Sequence, residues 1–67
     1  MQMIPINSSA INAVGYDAET KQMVIRFRDN PLGYTFYNVP FQVFNEFMAS
    51  PSRGRYYHEY IEGRYRG

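Results

Sequence analysis

The chain has 67 residues, no cysteine, one histidine and a formal net charge of +1. That length fits one domain spanning 1–67. The missing cysteines exclude disulfide stapling and, with a single histidine, argue against a structural metal site. Seven tyrosines and five phenylalanines are left to supply the packing, since each ring can bury about 150–250 Å².

Residues 1–9 read as an irregular lead-in, because Pro5 and the Asn7-Ser8-Ser9 run disfavour regular structure. The N-terminus lacks the basic region and long apolar run of a secretory signal, so the glycosylation-like Asn7-Ser8-Ser9 triplet carries no weight. No apolar stretch approaches the roughly 18 residues of a membrane span. The expectation is a soluble, cytoplasmic chain with no membrane partner.

From Ala10 the pattern becomes that of a strand, through Ile11, Ala13 and Val14-Gly15-Tyr16, with Gly15 as a candidate bulge. Asp17–Lys21 is a polar connection of hairpin length. Gln22–Arg28 alternates cleanly. Met23, Ile25 and Phe27 fall on one face, Val24, Arg26 and Arg28 on the other. Asp29-Asn30-Pro31-Leu32-Gly33 has the chemistry of a turn. A third strand is expected over Tyr34–Val39, with Tyr34 and Phe36 on one face and Thr35, Tyr37 and Val39 on the other.

At Pro40 the hydrophobic period changes from two to about 3.6. Phe41, Phe44 and Met48 stack on one helical face with Phe47 beside them. Ser50 as N-cap and Pro51 as first residue predict a second helix, whose stripe is Tyr56, Tyr57, Tyr60 and Ile61. Gly54 offers close approach to the sheet, Gly63 ends the helix, and 64–67 form a tail. The fold class is therefore α+β: a three-stranded antiparallel meander followed by two short helices on one face, β-β-β-α-α.

Over Ser8–Tyr65 the chain resembles the KTSC domain. That module is named for the C-terminus of some lysyl-tRNA synthetases and is also found in free-standing bacterial or phage proteins. The resemblance rests on Ser9, Ile11, Val14-Gly15-Tyr16, Met23–Phe27, Tyr34-Thr35-Phe36, Val39-Pro40, and Ser52-Arg53-Gly54-Arg55-Tyr56 leading to Ile61 and Tyr65. The family centres on a Tyr-x-Tyr motif, where this chain has Phe36 as the second ring. Phenylalanine is harmless there if the ring is core, and costs affinity if the missing hydroxyl touches a ligand. The resemblance implies no established activity, and RNA binding only through the synthetase setting.

The residues themselves carry little catalytic chemistry. His58 falls off the apolar stripe with Glu62 at i+4 as its partner, and no serine lies in a nucleophile elbow. The carboxylates are scattered, and there is no phosphate loop or dinucleotide fingerprint. The chain reads as a non-enzyme with no cofactor and no metal.

Charge is uneven. Residues 53–67 hold Arg53, Arg55, Arg64 and Arg66 against Glu59 and Glu62, whereas residues 1–52 are slightly acidic. Arginines interleaved with Tyr56, Tyr57 and Tyr65 suit single-stranded RNA, by phosphate pairing and base stacking. The candidate nucleic-acid-binding set is Arg53, Arg55, Tyr56, Arg64, Tyr65 and Arg66, joined by Arg26, Arg28 and Tyr34 on the sheet. The bland alternative packs the tyrosines on the sheet and leaves the arginines in solvent, with Arg55–Glu59 a surface pair. A second function, protein interaction or homo-oligomerisation, follows from aromatic content and free sheet edges.

Overall fold

A computed structural model describes residues 1–65. Four strands make one antiparallel sheet in the order β1-β2-β3-β4: β1 is Met3–Pro5, β2 Ile11–Asp17, β3 Gln22–Phe27 and β4 Asn30–Phe36. Helix α1, Phe41–Ala49, and helix α2, Arg53–Tyr56, follow, and α2 runs directly into a π-helical turn at Tyr57–Ile61. The architecture is α+β as expected, with one strand more than the sequence suggested.

The extra strand lies in the supposed irregular lead-in. Met3, Ile4 and Pro5 pair with Gly15, Val14 and Ala13. Pro5 is tolerated because β1 is an edge, where a missing N–H need not break a ladder. Gly15 is not a bulge: it pairs in regular register with Met3 on one side and Val24 on the other. Its bare Cα makes room for two methionines instead, since a Cβ there would lie 2.6 Å from Met3 Sδ and 2.9 Å from Met1 Sδ.

The bulge falls between Ile11 and Ala13, whose partners on β3 are the adjacent residues Phe27 and Arg26. One inserted residue reverses the parity of the strand. That is why Ile11 and Val14, three positions apart, are both fully buried. On β3 the expected alternation holds, with Met23 and Ile25 buried, Phe27 packed against the core and Arg26 exposed.

β4 begins at Asn30, four residues before the expected start, and ends at Phe36. The hairpin closes through Arg28 and Asp29 alone, because Phe27 pairs with Asn30. The turn-forming residues sit inside β4 as an irregularity. Ile25 pairs with Tyr34, so β4 is longer than β3 across the same interval, and Gly33 takes φ 81° there. Asn30 stabilises the segment by accepting from the Leu32 N–H at 3.3 Å and donating from Nδ2 to Tyr34 Oη at 3.0 Å.

Val39 does not share a face with Thr35 and Tyr37. Asn38 takes φ 58°, which turns the chain, and Val39 enters the core with its N–H donating to Lys21 O at 2.9 Å. Tyr16 Oη donates to the Val39 carbonyl at 2.6 Å, so both backbone groups of this residue are satisfied.

In α1 the deepest side chain is Phe47, with Phe44, Val43 and Met48 partly buried against the core. Phe41, expected on the apolar face, is 59% exposed. Ser50 closes α1 rather than opening α2. Its Oγ bridges the connection, accepting from Ser52 N at 3.2 Å and donating to Ser52 O at 3.0 Å. Ser52 takes the N-cap position and Arg53 begins α2.

After Tyr56 the hydrogen bonding widens to i→i+5, with Glu62 N–H donating to Tyr57 O at 2.8 Å. Ile61 is thereby fully buried while Tyr60 stays half exposed. Gly63, φ 80°, ends the helical run as expected. One core results, in which Ile11, Val14, Met23, Ile25 and Phe36 of the sheet meet Phe47 and Ile61 of the helical half.

Candidate nucleic-acid interface

The interleaved tyrosines are packed, not displayed. Tyr57 meets Phe27 edge-on at 5.0 Å between ring centroids and Phe36 at 5.9 Å. Tyr56 lies against Phe47 at 5.8 Å and Tyr60 at 4.7 Å, and its hydroxyl donates to Glu46 Oε1 at 3.2 Å. Tyr65 packs on the core edge. Burial first, then the Glu62 carboxylate and Tyr34, raises the Tyr57 pKa above its ordinary value. Burial, followed by the bond to Glu46, raises that of Tyr56. Phe36 is buried, so the phenylalanine that departs from the Tyr-x-Tyr pattern is a core ring. Tyr34 is half exposed, edge-on to Phe27 at 5.6 Å.

The arginines divide. Arg26 lies on the sheet face away from the helices, its Cγ close to Gly33. Arg55 Nε pairs with Glu59 at 2.9 Å on the surface, the expected i,i+4 contact. Arg64 is exposed beyond the helix end. Arg66, with the last residue of the expected 64–67 tail, lies outside the described residues.

Arg28 and Arg53 converge on the lead-in. Arg28 Nε donates to Ser8 O at 2.5 Å, and its backbone N–H to Ala10 O at 3.0 Å. Arg53 Nη2 donates to Met48 O at 2.6 Å, which holds the side chain along the α1–α2 junction. Its Nε is shielded from solvent and has no hydrogen-bond partner among the described residues.

Two clefts flank Ser9. The first, of about 260 Å³, is lined by Asn7, Ser8, Ser9, Pro51, Ser52, Arg53 and Gly54. It is a polar hollow with one guanidinium and no carboxylate in its walls. The second, of about 350 Å³, is lined by Ser9, Ala10, Phe27, Arg28, Asp29, Tyr57 and His58. It combines aromatic walls with one acidic and one basic side chain.

The lead-in is fixed where these clefts need it. Ser8 Oγ accepts from Ala10 N at 3.2 Å and from Ile11 N at 3.4 Å. Ile6 is buried and its N–H donates to Asn12 O at 2.9 Å. Asn7, Ser8 and Ser9 are thus site-lining residues that sequence patterning missed. The available signal was that Ser9 belonged to the family-like pattern while looking like loop.

His58 Nδ1 lies 2.8 Å from Glu62 Oε1, and both side chains are largely exposed. Ser9 shares the second cleft with His58, but no hydrogen bond joins them among the described residues, so the nucleophile–base contact of a hydrolase is missing there. Nor does any group of three or more histidines, aspartates or glutamates among the described residues form a metal-ligand set. Among the described residues no helix is long and apolar enough to cross a membrane.

Comparison with known proteins gives a consistent picture. The family profile of the KTSC domain matches residues 7–65. The crystal structure of a KTSC domain protein from Yersinia pestis superposes with a TM-score of 0.92 at 33% identity, covering 96% of this chain and 89% of that one. A protein of Tsukamurella paurometabola is 38% identical over 64 residues, covering 96% of this chain and 94% of its own length. Lysine–tRNA ligases of a Nostoc species and of Trichormus variabilis are each 31% identical over 58 residues. The match takes in 87% of this chain but only 10% of either ligase.

Proposed function

The chain belongs to the KTSC domain family, and from that premise we propose that it is a small non-catalytic module that binds single-stranded RNA through the clefts beside Ser9. The observation that carries this reading is Arg53. Its guanidinium lines a hollow of serine hydroxyls and an asparagine amide with no carboxylate, and its shielded Nε has no acceptor among the described residues. A phosphate oxygen in that hollow accepts from the Arg53 guanidinium, and serine and asparagine donors complete its shell. Arg28, tied to Ser8, adds a second cation in the other cleft lined by Ser9. Two relatives whose name is lysine–tRNA ligase carry a matching segment, which supports RNA over other phosphate-bearing polymers.

The test is fluorescence anisotropy with a labelled single-stranded RNA at two salt concentrations. Two neutralised phosphates give a slope of log affinity against log salt of about −1.4, or about a seven-fold loss between roughly 50 and 200 mM salt. No binding at the lower salt, or binding that ignores salt, refutes the proposal. A slope near −3 would instead indicate about four neutralised phosphates, with two of Arg26, Arg55 and Arg64 joining Arg28 and Arg53.

A second reading has its own support. Leu32 is 90% exposed and stands near the half-exposed Tyr34 on the β4 edge, a surface suited to self-association. Sedimentation at micromolar concentration tests it, and a strict monomer removes it.

A further inference from the structure

We infer that one nucleotide spans both clefts, its phosphate seated on Arg53 in the first and its base against Tyr57 and His58 in the second. This rests on the RNA reading above and specifies what that site holds.

The two hollows share Ser9 as a lining residue. At about 260 and 350 Å³, one lies just below and the other just above the small end of ligand pockets, which begin near 300 Å³. Each therefore suits part of a nucleotide, and the two together suit the whole. Their chemistries are opposite in the way a nucleotide's ends are opposite. The first cleft has serine hydroxyls, an amide and the Arg53 guanidinium, with no carboxylate in its walls. The second contains Asp29, which repels a phosphate but accepts from the amino or imino edge of a base.

The aromatic walls of the second cleft are already set. Tyr57 is held edge-on by Phe27 at 5.0 Å, and His58 stands edge-on to Tyr57 at 5.4 Å. The Glu62 carboxylate, 2.8 Å from Nδ1, orients the exposed imidazole. An exposed, oriented ring beside an aromatic wall is a stacking plate for an unpaired base. Arg28, anchored at Nε by the Ser8 carbonyl, lies in the second cleft and touches the lead-in that walls the first, where the sugar of a spanning nucleotide would pass.

The experiment measures the affinity of the full chain for a short single-stranded RNA and for the same oligomer with abasic positions, using wild type, His58→Ala and Ser52→Asp. Both substitutions are at exposed positions, and the Ser52 side chain makes no capping hydrogen bond to lose, so both variants should fold. Melting curves check that. His58→Ala should weaken the intact RNA about five-fold or more and leave the abasic oligomer unchanged. Ser52→Asp places a carboxylate in the phosphate cleft and should weaken both oligomers about ten-fold. Equal affinity of wild type for intact and abasic oligomers, or a His58→Ala variant that binds like wild type, overturns the nucleotide assignment while leaving RNA binding standing. Failure of wild type to bind either oligomer in a salt-dependent way overturns the RNA reading and this inference with it.

Discussion

Gly54→Ala should raise the stability of the protein. Gly54 is the second residue of α2, and glycine costs up to about 1 kcal/mol against alanine in a helix. A Cβ built there meets only Ala10 Cβ, at 3.7 Å, an ordinary van der Waals contact that nothing must move to accommodate. Near a helix end the full propensity difference is not realised, so the expected gain is about 0.5–1 kcal/mol. For a domain of this size that raises Tm by about 3–6 °C, read by circular dichroism. Gly33→Ala is the control. Gly33 takes φ 81°, and its Cβ would lie 3.1 Å from Arg26 Cγ and 3.2 Å from Ile25 O. The left-handed backbone alone costs alanine about 1–2 kcal/mol, so this variant should melt lower. A Gly54→Ala protein that also melts lower would refute the packing argument, because it would mean that α2 sits closer to the β2 entrance than 3.7 Å.

Phe47→Ala removes the largest fully buried side chain and should cost about 3–5 kcal/mol. Since a chain of this length has a total stability of roughly 3–10 kcal/mol, urea titration should show a variant at or near unfolding at 25 °C. Tyr16→Phe deletes the 2.6 Å bond to the Val39 carbonyl and should cost about 1 kcal/mol, with the denaturant slope unchanged. Tyr16, Tyr56 and Tyr57 have pKa values raised above 10.0, chiefly by burial. In this window the folded state holds protons that the unfolded state releases. Their contribution is therefore complete below pH 10 and declines as pH rises through the folded pKa values. Thermal melts at increasing alkaline pH should show Tm falling together with tyrosinate absorbance, and a Tm that stays constant through that ionisation contradicts the assignment.

The sheet's centre was legible because β3 obeys a strict period of two. Met23, Ile25 and Phe27 face the core with no help from context. What defeated local reading were residues whose role depends on a neighbour. β1 is three residues long and not itself buried, so only pairing with β2 makes it a strand. Asn30, Pro31 and Gly33 carry turn chemistry, yet the chain uses it to distort an edge strand, while Arg28-Asp29 makes the turn without a glycine. One positive φ at Asn38 moved Val39 from the outer face to the core. Helical spacing found the stripe of α1 but could not rank Phe47 above Phe41, because rank depends on how the helix is rotated against the sheet.

The site was legible in pieces. Arginine chemistry singled out Arg28 and Arg53, but sequence proximity grouped Arg53 with Arg55 and Arg64, whereas the fold pairs it with Arg28 through Ser8. The tyrosines that made the segment look like a stacking surface are for the most part structural rings, and Tyr57 has a side in a cleft. Ser8 and Ser9 have no periodicity to betray them. Their placement comes from the Ile6 anchor and the Ser8 Oγ bonds to Ala10 and Ile11, which no local pattern encodes.

The most direct measurement is a two-dimensional amide NMR titration of the labelled protein with a single-stranded RNA at low salt. Binding in the clefts should give shifts concentrated at Ser8, Ser9, Ser52–Gly54, Tyr57 and His58. Shifts gathered instead around Val24, Arg26 and Thr35 on the far face of the sheet, or no shifts at all, would contradict it.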